Sequence, residues 1–224
     1  SGRFGTMAID NWTKELVETV NGNNVTIIMN LPVHPISYTF TSTNGGLTFT
    51  TSDGAKLEVT SASVGSYYEI SETNRNLTWR FEYNSTAGGY VYVAEKNDAG
   101  TIFTLSYVDG NLDTITDSVG REITFSYRSG WTCDLVEKVT FPDNTYIEYE
   151  YASGETRSVT KAVYPTGDEA IFQPGADANG KSLIEYNDPF GVSDYRNSKI
   201  YINSRGRVTA VRDATTNEIK YAMR

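Results

Sequence analysis

The sequence predicts an all-β fold, an antiparallel meander of repeated hairpins, and three observations carry that expectation. The chain's 16 Tyr, 9 Phe and 3 Trp stand among many Thr and Val residues, and aromatic and β-branched side chains suit a pleated, half-buried surface. Its 19 Gly combine with repeated Asn and Asp to supply turn chemistry, whereas helix formers never gather into a long run of 3.6-residue period. Its C-terminal half keeps a repeat of about 24 residues. At 224 residues it is long enough to bury a core as one β domain or two.

Taken in order, residues 1–89 read as an N-terminal β-meander. Asp10 to Thr19, with Trp12, Leu16 and Val17, has the apolar spacing of either a short helix or a strand, and its Thr and Val content favours a strand. Asn21-Gly22-Asn23-Asn24 precedes Val25-Thr26-Ile27-Ile28-Met29, and Ser37-Tyr38-Thr39-Phe40-Thr41 precedes Asn44-Gly45-Gly46. Leu47 to Thr51 is expected as the next strand, then Ser52-Asp53-Gly54 as a turn and Lys56 to Thr60 as its return. Asn-Gly and Asp-Gly tolerate the positive φ of tight hairpin turns. Leu77, Trp79, Phe81 and Tyr83 alternate with polar residues, which gives a strand with one apolar face. Tyr90 to Val93 and Thr101 to Tyr107 continue the pattern.

Residues 90–224 read as the repeats. Ile115, Val139 and Val163 fall 24 residues apart, with Val211 48 further on, and the series breaks at Asn187. A second series, Ile123, Ile147, Ile171, Tyr195 and Ile219, also steps by 24. Each unit is expected to be a hairpin, as in Ile115 to Tyr127 and Val139 to Tyr151. A lone hairpin is marginally stable, so such units need stacked neighbours.

The turns carry a resemblance. Gly110-Asn111-Leu112-Asp113-Thr114-Ile115-Thr116-Asp117 leads into Asp117-Ser118-Val119-Gly120-Arg121 and then Ile123 to Tyr127, and Asn203-Ser204-Arg205-Gly206-Arg207 leads into Val208 to Val211. Over about residues 90 to 224 this resembles the YD-repeat, or Rhs-repeat, proteins, whose units carry an Asp-x-x-Gly-Arg turn before an apolar strand. Phe141-Pro142-Asp143-Asn144 and Pro165-Thr166-Gly167-Asp168 depart from that turn, and the Tyr-Asp pair itself is mostly absent. The resemblance implies a segment of a spiral β-sheet shell, secreted or at the cell surface, with no catalysis of its own. In bacterial polymorphic toxins such a shell encloses a toxic C-terminal domain; in teneurin-like receptors it is an extracellular body. The implied partners are other segments or copies of the same protein, joined through strand edges, with an enclosed toxin domain or a surface glycan beyond them. Asp188-Pro189-Phe190-Gly191, with Asp194, is similar to the shell-closing motif of the toxin members, where an aspartate pair is associated with self-cleavage. The usual continuation is missing, and a plain turn accounts for this stretch better.

Little in the sequence points to chemistry, and no catalytic, cofactor-binding or metal-binding residue is assigned from it. His34 is the only histidine, set between Pro32 and Pro35, with no Gly-x-Ser-x-Gly elbow. Cys133 is the only cysteine and reads as a small buried hydrophobe. Asp113, Asp117, Asp134, Glu137, Asp143, Glu148 and Glu150 offer carboxylates for a glycoside hydrolase pair, but such chemistry selects two at a defined separation and the sequence selects none. Asp109-Gly110-Asn111-Leu112-Asp113 has oxygen ligands at alternate positions, yet a hairpin turn explains it better than a Ca²⁺ loop. Tyr67, Tyr68, Tyr90, Tyr92 and Trp131 could form a sugar-stacking strip of a carbohydrate-binding adhesin module, or ordinary cross-strand pairs. Asn-x-Ser/Thr triplets occur at Asn11, Asn24, Asn76 and Asn84 and would accept glycans only in a suitable host.

The net charge of -9 opposes a phosphate backbone, so no nucleic-acid partner is expected. No apolar run approaches the ~18 residues that span a bilayer as a helix. The opening on Ser1, and the strand-like Ile219 to Arg224 at the other end, fit a piece of a longer protein.

Overall fold

The computed structural model describes residues 14–31, 36–51, 57–128, 135–152, 159–176, 182–187, 198–202, 208–213, 216 and 219–222. It is all-β and antiparallel, with no helix among these residues. Packing divides the described residues into two compact units, one within Ile9–Phe125 and one within Ser126–Arg224. The hairpin that opens the repeats therefore packs with the N-terminal meander.

In the first unit, β1 (Glu15–Asn21) and β2 (Asn24–Leu31) form a hairpin closed by the two residues Gly22 and Asn23. Of the stretch open to either reading, Glu15 to Thr19 is thus strand, and residues 10–13 lie outside the described residues. Val25, Ile27 and Met29 point into the core while Ile28 faces out, the alternation a half-buried strand requires. β3 (Ile36–Ser42) pairs with β2, and β4 is only Thr50–Thr51. The strand expected over Leu47 to Thr51 is thus shortened to its last two residues. The buried Ser42 hydroxyl accepts from the backbone N–H groups of Asn44 and Gly46, and Asn44 binds Thr48 through both its amide and its carbonyl. Those local bonds replace the ladder, and Leu47 is left 84% exposed.

A second run of hairpins follows: β5 (Leu57–Ser63), β6 (Tyr67–Glu72), β7 (Leu77–Asn84) and β8 (Gly89–Asn97). β8 returns to pair with β1 at Leu16–Tyr90, so the order is β4-β3-β2-β1-β8-β7-β6-β5. β9 (Gly100–Val108), β10 (Asn111–Asp117) and β11 (Glu122–Tyr127) continue the meander from the far half of β8. Asp109 and Gly110, with φ of 50° and 82°, make the two-residue turn between β9 and β10, so this stretch is a hairpin tip. Tyr68, Ile70, Phe81 and Tyr92 join Ile27, Met29 and Phe40 in the core. Full burial of each such side chain contributes about 1.5–3 kcal/mol.

Glu69 on β6 is held between Arg80, 3.0 Å away, and Lys96, 2.7 Å away, on β7 and β8. Burial pushes its carboxyl up, but Lys96 and Arg80 outweigh this and hold it below the ordinary value of 4.5. Because the folded value is depressed, the stability this group adds is present above the unfolded value and is lost as pH falls through the folded one. The Glu69 carboxyl resonance is expected to titrate with a midpoint below 4.5; a midpoint at or above it would contradict the assignment.

The repeat is visible in its turns. In Asp117–Arg121, Phe141–Thr145 and Tyr164–Asp168 the first N–H donates to the fifth carbonyl, at 3.0, 2.8 and 2.8 Å. In each, the fourth N–H donates to the first carbonyl, and the fourth residue, Gly120, Asn144 or Gly167, has φ of 84°, 64° or 84°. This is one three-residue hairpin loop built from three different sequences, since the left-handed position needs only Gly or Asn.

The second unit contains β12 (Val136–Thr140), β13 (Tyr146–Tyr151), β14 (Val159–Val163), β15 (Glu169–Ala176), β16 (Ser182–Asn187), β17 (Ser198–Ile202), β18 (Val208–Asp213) and β19 (Ile219–Ala222), each antiparallel to the next. Ile115 faces Ile123 in β10–β11, and Val139 faces Ile147 in β12–β13, as the two apolar series predict. The third hairpin departs from them. Val163 pairs with Glu148 and Glu169, and Ile171 with Lys161, while Ala162 and Ala170 form the buried pair. Phe141 to Tyr164 is 23 residues, one fewer than Asp117 to Phe141, and a one-residue slip turns every side chain to the other face. The outer face carries in-register ion pairs, Lys138 with Glu148 at 3.0 Å and Lys161 with Glu150 at 2.7 Å.

Two tyrosines tie hairpins to their starting strands across 15 residues each. Tyr107 Oη donates to the carbonyl of Tyr92 at 2.7 Å, and Tyr151 Oη to that of Val136 at 2.6 Å. Tyr151 and Val136 are both buried. Tyr151→Phe is expected to destabilise the second unit by about 1–3 kcal/mol, because the carbonyl loses its donor out of reach of water. Urea unfolding measures this; a change under about 0.5 kcal/mol would show the bond to be dispensable.

Candidate functional site

The most unusual arrangement of polar and aromatic groups lies where β8 changes partner. Its edge pairs with β1 at Tyr90 and with β9 from Ala94 onward. Tyr92 falls between, and there its carbonyl takes the Tyr107 hydroxyl. Arg80 pairs with Ala94 but Phe81 with Tyr92, so Val93 is an extra residue on β8. Such a bulge shifts the pleat by one, and Tyr92 and Glu95, three residues apart, consequently share the face of Phe81 and Trp79.

That face is an aromatic box with one carboxylate. Glu95 Oε2 accepts from Trp79 Nε1 at 3.1 Å and from Tyr92 Oη at 2.8 Å. Phe81 and Phe103 pack on the Tyr92 ring with centroids 5.6 and 6.1 Å away. The Lys14 ammonium, at the start of β1, lies 4.0 Å from the Tyr92 centroid and 5.8 Å from that of Trp79. Burial first, and Glu95 beside it, push the Tyr92 hydroxyl well above the ordinary range.

A second carboxylate closes the seam between β1 and the run β5–β8. Glu18 accepts from Tyr68 Oη, from Tyr90 Oη at 2.9 Å, and from the N–H of Gly65 at 3.1 Å. Burial, then Glu18, raises both phenols far above the ordinary tyrosine value. They are donors to a carboxylate at any physiological pH.

The sequence marked the tyrosines of both clusters but none of their charged partners. Glu18 and Glu95 look like any other carboxylate, and Lys14 like any surface lysine, until the β1–β8 pairing brings Glu18 and Lys14 to the tyrosines and the Val93 bulge brings Glu95 to Tyr92. The carboxylates that the sequence does offer are placed in turns and ladders. Asp117 accepts from Val119 N, Arg121 N and Arg121 Nε, and Asp143 from Thr145 through both its N–H and its hydroxyl. Arg121 first, with Val119, holds Asp117 below the usual carboxylate range, and Thr145 does the same for Asp143. Asp113 bonds Thr114, Glu148 and Glu150 pair with lysines, and Glu137 is exposed.

Of the stacking strip, Tyr68, Tyr90 and Tyr92 are buried and offer no face to a sugar, while Tyr67 lies under Arg80, 4.4 Å from its centroid. These are cross-strand pairs. At the glycan-acceptor triplets, the Asn84 carbonyl accepts from the N–H groups of Thr86 and Ala87, and the Asn76 amide donates to Asp98; Asn24 is exposed at the start of β2. Among the described residues no three His, Cys, Asp or Glu side chains group to hold a metal ion, and no helix is long and apolar enough to cross a membrane. Asn11, His34, Trp131, Cys133, Asp134, Asp194 and the stretches 188–191 and 203–207 lie outside the described residues. No protein-family model matches this sequence, and none of the curated proteins matches it.

Proposed function

We propose that this chain is a segment of a repeat-built β-sheet scaffold of the YD/Rhs kind, in a large secreted or cell-surface protein, with no catalysis of its own. The observation that carries the reading is the five-residue turn, kept in backbone form at Asp117–Arg121, Phe141–Thr145 and Tyr164–Asp168 while its residues change. A fold that conserves a backbone unit and leaves its side chains open is organised for building sheet. The tyrosine bonds across 15 residues support it, because each ties a return strand to the strand that began its unit. In this reading the partners are neighbouring segments or other copies that continue the sheet at its edge strands.

Deletion of one whole unit tests it. Removing residues 142–164 joins Phe141 to Pro165 and leaves a single turn, Phe141-Pro165-Thr166-Gly167-Asp168, in the same frame. A quasi-one-dimensional array is expected to close up, keeping its β-type circular dichroism and a cooperative unfolding transition at lower stability. Loss of cooperative unfolding would show that the units are not interchangeable and would remove the scaffold reading.

A further inference from the structure

We infer that the point where β8 passes from β1 to β9 is a binding site for an alkylammonium group, filled in this structure by the protein's own Lys14. The chemistry is that of the box described above. A cation over the faces of Tyr and Trp is attracted by the ring quadrupole, and the attraction grows where water is excluded. With Lys14 in place Tyr92 is 1% exposed and Trp79 7%, so a cation in the lysine's position meets desolvated ring faces. The Lys14 ammonium already sits over both, at 4.0 and 5.8 Å.

The carboxylate is fixed in advance. Both bonds to Glu95 fall on Oε2, from Trp79 Nε1 and Tyr92 Oη, so the donors orient the group without neutralising it. A negative charge is thereby held at the edge of an aromatic box. This arrangement suits a compact, weakly hydrated cation such as a methylated ammonium better than a metal ion, which would demand several oxygen ligands. It also distinguishes this site from Glu18, whose two oxygens are both taken by phenols and a backbone N–H.

Lys14 is tethered, and it leads a strand whose pairing to β8 is the single Leu16–Tyr90 bridge. It therefore competes with an incoming ammonium at high effective concentration, and removing it should reveal the site. The probe is tetramethylammonium chloride, titrated against sodium chloride at equal ionic strength, with the Trp79 indole N–H and Tyr92 ring resonances as readout. K14A is expected to show saturable shifts with half-saturation on the order of 1–10 mM, and the wild-type chain to bind at least about tenfold more weakly. K14A/E95Q, which keeps an acceptor for Trp79 and Tyr92 but removes the charge, is expected to lose several-fold of the affinity gained. K14M retains the apolar stem of the lysine and decides the matter if K14A does not give a dispersed spectrum. Shifts that are linear, or the same with sodium, or equal in wild type and the Lys14 variants, would overturn the inference.

Discussion

Glu18→Ala is expected to cost the first unit about 3 kcal/mol. Three donors lose their acceptor together: the hydroxyls of Tyr68 and Tyr90 and the N–H of Gly65. Tyr68 is fully buried and Tyr90 nearly so, and both hydroxyls point to the part-buried Glu18 carboxylate. A hydrogen bond to a charged group contributes about 1.5–3 kcal/mol, and an unsatisfied buried donor costs about 1–3 kcal/mol; the exposed Gly65 end of the cluster adds less. Glu18→Gln keeps one carbonyl acceptor and replaces the other with a donor, so it should recover roughly half of the loss. Urea midpoints of the three proteins check this, with the slope constant to show that the transition is the same. An alanine variant within about 0.5 kcal/mol of wild type would mean that the seam is held by packing alone.

Phe81→Ala is expected to be costlier, at about 3–5 kcal/mol. The side chain is fully buried, faces Tyr68 across β6 and β7, and packs against Tyr92 at 5.6 Å. Its removal empties a volume bounded by two ring systems that are each fixed by a carboxylate, so neighbours cannot collapse into it. Tyr83→Ala is the internal control. It lies two residues further along β7, is 50% exposed, and makes only an edge contact with Tyr90. Its loss should cost under about 1.5 kcal/mol. Should the two variants be equally stable, Phe81 would not be in the core that the burial pattern assigns.

What the sequence revealed was local. Gly22 and Asp109-Gly110 declared their hairpins because positive φ has few chemical solutions, and Trp79 and Phe81 declared a face because alternation is a property of one strand. Ile115 with Ile123 and Val139 with Ile147 declared a register because each pair lies within one hairpin. What escaped notice depends on residues far apart or on single-residue shifts. Val163 and Ile171 keep the spacing of the series, yet the 23-residue step between turns puts them with Glu169 and Lys161 on the ion-paired face. Leu47 and Phe49 look like strand residues, but Ser42 and Asn44 bind the backbone there first. Glu18 and Lys14 gain their roles only when β1 meets β8, which no periodicity encodes. The bulge at Val93, which puts Tyr92 and Glu95 on one face, leaves no mark in composition.

The β1–β8 seam also has a kinetic meaning. Almost every other pairing in the first unit joins strands adjacent in sequence, and hairpins of this kind form within microseconds. Glu18 is 50 residues from Tyr68 and 72 from Tyr90, so the seam must meet the loop-closure entropy of a long chain segment. It is therefore expected to assemble after the hairpins of the first unit and to part before them. Interactions made after the folding barrier slow unfolding and leave the folding rate almost unchanged. Glu18 is thus expected to act as a brake: it sets how long the joined sheet persists, while the hairpins set how fast it is reached.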